Sequence, residues 1–465
     1  MIDHQTGLAI LRTLLGPNKV SANVPRIVSA WMARRTIVVT VLIGCLSAFA
    51  AWLRVPTIAR DTLWAEDGRN FLQDALSFGP LDSLFLPYAG YLHTLPRIVA
   101  ALTVQFVPVQ FFALSMTAGA CLAAGVMASI IYVCTRDVVS WVPARVLIAS
   151  LTVLAPLVPR EVLGNMANLH SLVLWTMLWV LLYRPRTRAG RYALTVFALL
   201  GTLTEIESVF LLPLLLWQPK DRRRWTVRSA YLLGVAIQLT VTVIVPRGHN
   251  GNPPVGFPSI LYGYMINCVV PLWVPQNSIG TAVAWGGTLL CLALLVPFLI
   301  ALFITLKWGS AVQRVAAIAL AAGSAVVYSV SVIENPSSIY DYAGMSAAAL
   351  RTLWLARYGV IPSMMLCSLL LLAAGIIIAR RNAVSGSETK RRPTQNMCIQ
   401  LAVAGLVALL LVQFVPQNTR RSSGPQWQPQ IAALKSECQR AADSHSVAID
   451  ETIHWHVDVH CRRIE

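Results

Sequence analysis

Charge is scarce in this sequence. Asp, Glu, Lys and Arg make up only 12% of the 465 residues, whereas about a quarter is usual in a soluble domain. Hydrophobic residues make up 56%, and the mean hydropathy is +0.63. A soluble globular protein is therefore excluded, and the composition predicts a membrane protein.

Acidic residues are scarcer than basic ones: 20 Asp and Glu stand against 37 Lys and Arg, a net charge of +17. The basic residues form neither a separate domain nor a stripe interleaved with aromatic side chains, so nucleic-acid binding is excluded. They lie in short segments between apolar runs, and this pattern fixes the orientation of a multi-span protein.

Several motifs of soluble chemistry are absent. The sequence has no glycine-rich phosphate loop, no serine-centred elbow and no HExxH helix. Transport driven by a nucleotide-binding domain within this chain is therefore excluded. A cleavable signal peptide is not predicted either, because segment 1–35 carries five basic residues before any long apolar run. We expect 1–35 to be cytoplasmic and the first apolar run to be a retained transmembrane helix.

A helix needs about 20 apolar residues to cross the hydrocarbon core of a bilayer. The runs that approach this length are 36–53, 109–135, 142–158, 167–183, 229–246, 280–306, 311–333, 357–379 and 397–416.

Segment 192–218 is long enough for one more crossing, but basic clusters flank it on both sides and its middle, 204–208, is polar. One crossing would place one cluster outside, so we predict a hairpin of two short helices, 192–203 and 208–218. The fold class is then an all-α transmembrane bundle of about 11 helices, with the N-terminus inside and the C-terminus outside. The inner segments of this topology hold 23 of the 37 Lys and Arg residues.

The predicted bundle spans 36–416 and has three long outer loops, 54–108, 247–278 and 334–357. A polar tail, 417–465, follows it on the outer side.

Cysteine use agrees with this topology. Seven of the nine cysteines lie in or beside apolar runs and behave as small buried hydrophobes. Cys438 and Cys461 stand alone in the tail, and we expect them to form a disulfide in an oxidising outer compartment. The alternative is a zinc site with His454, His456 and His460, whose spacing is not that of a recognised zinc module.

Carboxylates concentrate in the first outer loop, which contains the adjacent pair Glu66 and Asp67. A general base must be ionised and within hydrogen-bond reach of a hydroxyl, and a carboxylate at the outer mouth of a helical bundle can meet both conditions. His93 and Arg97 lie later in this loop and are candidate substrate-binding residues. The alternative is that the acidic pair only caps a helix that begins near Gly68.

Two other polar groups interrupt apolar sequence. Asn168 and His170, with Asn165 before them, stand at the outer start of a span and could line a sugar pocket; the alternative is helix capping by Asn165. Glu205 and Glu207 lie at the hairpin tip, and ionisable residues at membrane depth are functional candidates. The alternative is that this tip reaches outer water and its charges are solvated.

Arg357 and Tyr358 begin a span from its outer side. A guanidinium there can hold a phosphate at the level of the lipid headgroups through paired, charge-assisted hydrogen bonds. The alternative is an interfacial anchor that reaches toward the headgroups.

This layout resembles the GT-C superfamily of integral-membrane glycosyltransferases over 36–416. The residues that carry the resemblance are Glu66 and Asp67 in a long first outer loop and the segments 91–97 (YLHTLPR), 165–170 (NMANLH) and 357–362 (RYGVIP). The resemblance implies that an acidic first-loop residue, Asp67 or Glu66, deprotonates the acceptor hydroxyl. It also implies a donor sugar on a polyprenyl phosphate or diphosphate, with Arg357 as a candidate ligand of that phosphate.

The partners implied are the lipid-linked sugar donor, a glycan or lipid acceptor and the lipid bilayer, in a bacterial cytoplasmic membrane. The sequence requires no cofactor and leaves a divalent metal open. Two other hypotheses remain. A transporter or flippase of lipid-linked sugars could couple to protons through Glu205 and Glu207, although no repeat halves are visible. A non-catalytic membrane scaffold would have scattered outer charge without a cavity.

Overall fold

The computed structural model of the protein describes residues 20–248, 251–385, 394–415, 419–441, 445–452 and 454–464. Helices make up 75% of the structure. Most of the predicted N-terminal segment and part of the basic stretch 380–392 lie outside the described residues.

The longer α-helices, in chain order, are α1 (Val20–Arg54), α2 (Thr94–Phe106), α3 (Phe112–Cys134), α4 (Val142–Leu154), α5 (Leu169–Leu182), α6 (Arg188–Thr202), α7 (Arg222–Ile244), α8 (Phe257–Tyr264), α9 (Ile279–Trp308), α10 (Ala311–Glu334), α11 (Val360–Ser385), α12 (Thr394–Val412) and α13 (Trp427–Cys438). The shorter α-helical pieces are Thr57–Arg60, Gln73–Ser77, Val158–Glu161 and Ala347–Arg351. The 3₁₀ and π pieces that matter for the site are Asp67–Leu72, Ile206–Leu216 and Arg357–Gly359.

Seven helical segments of the described chain are long and apolar enough to cross a membrane, and they correspond to all or part of α1, α3, α4, α7, α9, α10 and α11. The predicted spans 167–183 and 397–416 correspond to α5 and α12, which belong to the shorter apolar helices. The protein is therefore a helical membrane protein, and the bundle of about 11 helices with its orientation stays a prediction.

Two regions contain secondary structure that the predicted layout lacks. The first predicted loop, 54–108, contains α2, which starts within Thr-Leu-Pro and is too short to span a bilayer. The tail contains two antiparallel strands, β1 (Ser446–Glu451) and β2 (Trp455–His460). Their valine and isoleucine side chains are buried and alternate with exposed residues, so one face of the hairpin is buried and the other is exposed.

The predicted hairpin in 192–218 is present as α6 followed by the 3₁₀ helix Ile206–Leu216. The two ends of this segment meet, because Arg184 before it forms an ion pair with Asp221 after it at 2.9 Å. Its tip, around Glu205, therefore lies at the opposite end of the bundle from these two residues.

The basic segments gather at the end of the bundle where Arg184 pairs with Asp221, which is named here the basic end. Arg186 pairs with Asp137 at 2.8 Å, and Gln313 Nε2 donates to the Val138 carbonyl at 3.0 Å. Arg380 lies over the Trp308 ring. Segments around 137, 185, 221, 310 and 380 are thus neighbours, as expected if one side of the membrane attracts them all.

Helix α5 is the centre of the bundle. It is apolar on every face, and nearly all of its residues are buried, including Trp175 and Trp179. Its N-terminus points away from the basic end, so the residues that precede and open it, Asn168 and His170, lie among the loops of the opposite end.

Candidate active site

A cavity of about 350 Å³ opens at the end of the bundle opposite the basic end. The first loop, the N-terminus of α5, the tip of the 192–218 hairpin, the end of α10 and the start of α11 enclose it. Its ionisable lining residues other than tyrosine are Glu66, His93, His170, Glu205, Glu207, Arg247, Glu334 and Arg357.

Eight of the ten catalytic and substrate-binding residues predicted from the sequence line this cavity: Glu66, His93, Asn168, His170, Glu205, Glu207, Arg357 and Tyr358. They come from five separate parts of the chain. Asp67 and Arg97 are not among the lining residues.

Asp67 is fully buried and accepts hydrogen bonds from two backbone amides, Met166 N–H at 3.0 Å and Ala167 N–H at 2.7 Å. Burial raises the pKa of this carboxyl to about 7, although Arg421 and the two amides lower it. Asp67 thus anchors the loop before α5 to the first loop, and its geometry offers no access to an acceptor hydroxyl in the cavity.

Arg97 is also buried and pairs with Asp74 at 2.8 Å while its guanidinium lies over the Phe71 ring. All three residues belong to the first loop, so Arg97 holds that loop together. Its predicted substrate-binding role has no support from this position.

Glu66 is the first-loop carboxylate that reaches the cavity. The Tyr88 hydroxyl lies 3.5 Å from its Oε1 atom, at the limit of a hydrogen bond. The residue before it, Ala65, has a φ of +47°, which is uncommon for a residue with a Cβ. The chain therefore turns sharply there, so that Glu66 faces the cavity while Asp67 faces the protein interior.

The residues on both sides of Glu66 are fixed by distant parts of the chain. Trp64 forms a bridge with Thr452 of the tail, and the Arg69 amide donates to Glu451 Oε1 at 3.0 Å. A Cβ on Gly68 would collide with Glu451 Oε2, so only glycine fits there. Neither Glu66 nor Asp67 caps the helix that begins here.

A hydrogen-bonded chain crosses another wall of the cavity. His170 Nδ1 is bonded to Glu205 Oε2, Glu205 Oε1 accepts the Glu207 amide at 2.7 Å, and the Ser331 hydroxyl donates to Glu207 Oε1 at 3.0 Å. Glu205 is only 1% exposed, whereas the His170 side chain keeps 22% exposure. The arrangement orients the imidazole by a buried carboxylate and leaves the ring accessible from the cavity.

Arg357 contributes the guanidinium on a third wall. It pairs with Glu161 at 3.0 Å, its side chain remains 36% exposed, and it lies over the Tyr358 ring. The charge of Glu66 also acts on it. An acidic partner holds the guanidinium in place while part of its donor capacity stays available to a ligand.

Aromatic rings surround the first-loop side of the cavity. His93 lies 4.1 Å from the Tyr91 ring and 5.6 Å from the Tyr88 ring, centroid to centroid, and its Nε2 bonds to the Tyr88 carbonyl at 3.2 Å. Burial lowers the pKa of His93 well below its usual range, so the ring is neutral. It is a packing and hydrogen-bonding residue rather than a charged one.

Sequence reasoning missed Arg247, Ser331 and Glu451. Arg247 follows a predicted span directly and is the first charge beyond it, which is a usable signal. Ser331 lies inside an apolar helix, and Glu451 lies almost 400 residues from the loop that it contacts. No pattern in the sequence connects either of them to the site.

The tail cysteines Cys438 and Cys461 are joined in a disulfide, as predicted from the sequence. Across the residues that the structure describes, no group of three or more His, Cys, Asp or Glu side chains is arranged to hold a metal ion.

Comparison of the chain with protein families, with curated proteins and with solved structures finds no match.

Proposed function

We propose that this protein is a glycosyltransferase of the GT-C type that acts at the outer face of a bacterial cytoplasmic membrane. It moves a sugar from a polyprenyl-phosphate donor to a glycan or lipid acceptor of the cell envelope. The observation that carries the proposal is that Glu66 and Arg357, almost 300 residues apart, line one cavity at the end of the bundle opposite the basic end. Under the positive-inside rule, that end faces outward.

The reaction needs a base for the acceptor and a stabiliser for the leaving phosphate. Glu66 takes the proton of the acceptor hydroxyl as the oxygen forms its bond to the anomeric carbon. The bond between that carbon and the phosphate oxygen breaks, and the lipid phosphate leaves with the electron pair. Arg357 donates charge-assisted hydrogen bonds to the phosphate as its negative charge grows.

Glu66 is a better candidate for the base than Asp67. A base must come within hydrogen-bond distance of the proton that it removes. Glu66 lines the cavity, whereas both carboxylate oxygens of Asp67 are engaged by backbone amides and the side chain is fully buried.

The rest of the lining suits a sugar attached to a lipid. Tyr88, Tyr91 and Tyr358 offer ring faces for a sugar, and Asn168 and His170 offer polar atoms for its hydroxyls. The wall between the hairpin and α10 is apolar and suits the start of an isoprenoid chain; its residues are Val209, Phe210, Val327 and Val330.

The test is transfer of a radiolabelled sugar from lipid-linked donors to membrane acceptors by the purified protein and its variants. Glu66→Gln removes the base and should lower the transfer rate by about a hundredfold or more. Glu334→Gln is the matched control, since it removes a carboxylate from the same cavity and should keep most of the activity. Full activity in Glu66→Gln would refute the assigned base, and absence of transfer by the wild type from every donor tested would refute the enzyme.

The second candidate function is transport of a lipid-linked sugar. The observation that favours it is the contact of His170 with the buried carboxylate of Glu205, beside Glu207, because ionisable groups at membrane depth are candidates for proton coupling. Reconstituted vesicles distinguish the two functions. A flippase moves labelled lipid-linked sugar across the bilayer in a manner that Glu205→Gln abolishes, and it makes no new glycosidic bond.

A further inference from the structure

A second concave surface lies at the basic end, remote from the candidate active site. Two adjoining cavities of about 610 and 560 Å³ share Arg184 and Gln218. Together they form what is called here the basic cleft, between the 184–186 turn and the 217–224 turn.

Cations dominate the basic cleft. Six line it, against the two carboxylates of Asp137 and Asp221: Arg184, Arg186, Lys220, Arg222, Arg223 and Arg224. The two carboxylates are already used, because Asp221 pairs with Arg184 and Arg224 while Asp137 pairs with Arg186. The cleft therefore keeps a surplus of positive charge after its internal ion pairs are made.

Within the described chain, three of the six cations are unpaired, and the paired set of three guanidinium groups and two carboxylates carries one further positive charge. The side chains of Lys220, Arg222 and Arg223 have no hydrogen bond or ion pair with any residue that the structure describes. Lys220 precedes α7, and Arg222 and Arg223 open it, so their charges are close in space and repel unless an anion lies between them.

The backbone that presents these cations is fixed. Gln218 adopts a φ of +47°, and the Trp225 indole donates to the Pro219 carbonyl at 2.6 Å. The buried guanidinium of Arg228 donates to the Trp217 carbonyl at 2.6 Å, and that of Arg224 to the Leu182 carbonyl at 2.6 Å. A basic loop that only sets membrane orientation needs charge but no such scaffold.

The position of the cleft favours a lipid over a free anion. It lies at the start of α7, where Arg222 precedes the apolar run 229–246 by about two helical turns, which is the level of the lipid headgroups for a span that begins at that run. Trp217 lines the cleft and Trp225 lies on the first turn of α7, and tryptophan is enriched at this level of a bilayer. Basic pockets beside transmembrane helices bind the headgroups of anionic lipids.

We propose that the basic cleft binds the phosphate headgroup of an anionic phospholipid, with Lys220, Arg222 and Arg223 as its ligands. This site is separate from the donor phosphate site proposed at Arg357, and lipid binding can be measured without any transfer activity.

The test uses the full chain in detergent micelles, with phosphatidylglycerol added and lipid-bound protein counted by native mass spectrometry. The triple variant Lys220→Ala, Arg222→Ala, Arg223→Ala should bind phosphatidylglycerol roughly a hundredfold more weakly. The matched control is Arg188→Ala, Arg191→Ala, Arg314→Ala, which removes the same charge from the same end but no residue of the cleft. It should bind like the wild type.

Equal loss in both triple variants would overturn the proposal, since binding would then follow overall charge. Unchanged binding in the cleft variant would overturn it as well. Inorganic phosphate is the competing probe: displacement of the lipid at an equal concentration of phosphate would show a site for the free anion instead. The pair Arg222→Lys, Arg223→Lys keeps the charge and should retain binding, so a folding defect in the alanine variant would not leave the proposal untested.

Discussion

Glu66 and Asp67 are neighbours in the chain but have opposite surroundings. Glu66 lines the cavity, and Asp67 is locked by the amides of Met166 and Ala167. The sequence predicts that one of the two is functional but cannot choose between them, since the choice depends on amides a hundred residues away. The positive φ of Ala65 directs the two side chains apart, and the sequence does not predict it because the residue is not a glycine.

We expect Asp67→Asn to weaken the fold and to keep the chemistry. An asparagine has one acceptor oxygen for two amides, so the variant should lose about 1–3 kcal/mol of stability. Transfer activity of the folded fraction should stay within about tenfold of the wild type, in contrast to Glu66→Gln. Thermal unfolding in detergent and the transfer assay measure the two effects, and a stable but inactive Asp67→Asn would return the role of base to Asp67.

The stability contributed at Asp67 should also depend on pH. Its folded pKa, about 7, lies above the ordinary value of 3.8, so the folded state binds more protons than the unfolded state between these values. The contribution is then fully present below about pH 4 and is lost as the pH rises through 7. The difference in melting temperature between wild type and Asp67→Asn should therefore shrink from pH 4 to pH 8, and a difference that grows would contradict the burial of a protonated carboxyl.

Arg357 is predicted to act through the geometry of its guanidinium as well as its charge. Lysine keeps the charge but lacks the planar fork that matches a phosphate. Arg357→Lys should therefore lower transfer about tenfold or more, through kcat as well as through the KM for the lipid-linked donor. Arg351→Lys is the control, because Arg351 is exposed on the same loop and does not line the cavity. Equal kinetics in the two variants would remove Arg357 as the phosphate ligand.

At the scale of elements, long apolar runs and flanking charge predict most of the bundle. The 192–218 hairpin is the sharpest case, because two basic clusters on one side of a membrane exclude a single crossing there. The elements missed are those with local signals weaker than a membrane span. Helix α2 has only 13 residues, and the tail hairpin carries its period-two alternation in Val447, Ile449, Val457 and Val459 over two short strands.

The tail hairpin is predicted to hold the first loop in place through Glu451. Its Oε1 accepts the Arg69 amide, the Gly68 amide points to the same carboxyl, and burial raises the pKa of Glu451 to about 9. Burial thus favours the uncharged form of the Glu451 side chain, and glutamine resembles that form. Glu451→Gln should therefore preserve transfer activity, whereas Glu451→Ala should lower it about tenfold by releasing the Glu66 turn.

Hydrogen exchange at the Gly68 and Arg69 amides provides a readout apart from activity. Exchange should be slow in the wild type and in Glu451→Gln, and fast in Glu451→Ala. Because the folded pKa is raised, the contact stabilises the docked tail most below about pH 4.5 and progressively less toward pH 9. The wild type should lose protection of these amides across that range, while Glu451→Gln keeps it. Protection that does not change with pH in the wild type, as in Glu451→Gln, would contradict the role of the carboxyl.

At the scale of the whole molecule, the two ends of the bundle have different chemistry. Five basic segments meet at one end, and the candidate active site, the long loops and the disulfide-bonded tail meet at the other. The number of crossings is harder to predict than this polarity. Helix α5 has 14 residues, about 21 Å of helix against a hydrocarbon core of about 30 Å, and it is buried by its neighbours rather than by lipid.

The different chemistry of the two ends leads to a prediction of membrane topology, and the 192–218 hairpin makes this prediction specific. Ala189 and Lys220 lie on either side of the hairpin at the basic end, and Ala348 lies on the exposed helix Ala347–Arg351 at the cavity end. In intact cells that carry single cysteine variants, with the seven free cysteines replaced, a membrane-impermeant maleimide should label Ala348→Cys only. Permeabilised cells should show labelling of all three. A single crossing through 192–218 would instead place Ala189 and Lys220 on opposite sides. Labelling of either one alone in intact cells would thus reject the hairpin, and labelling of both without Ala348 would invert the bundle and place the Glu66 cavity in the cytoplasm.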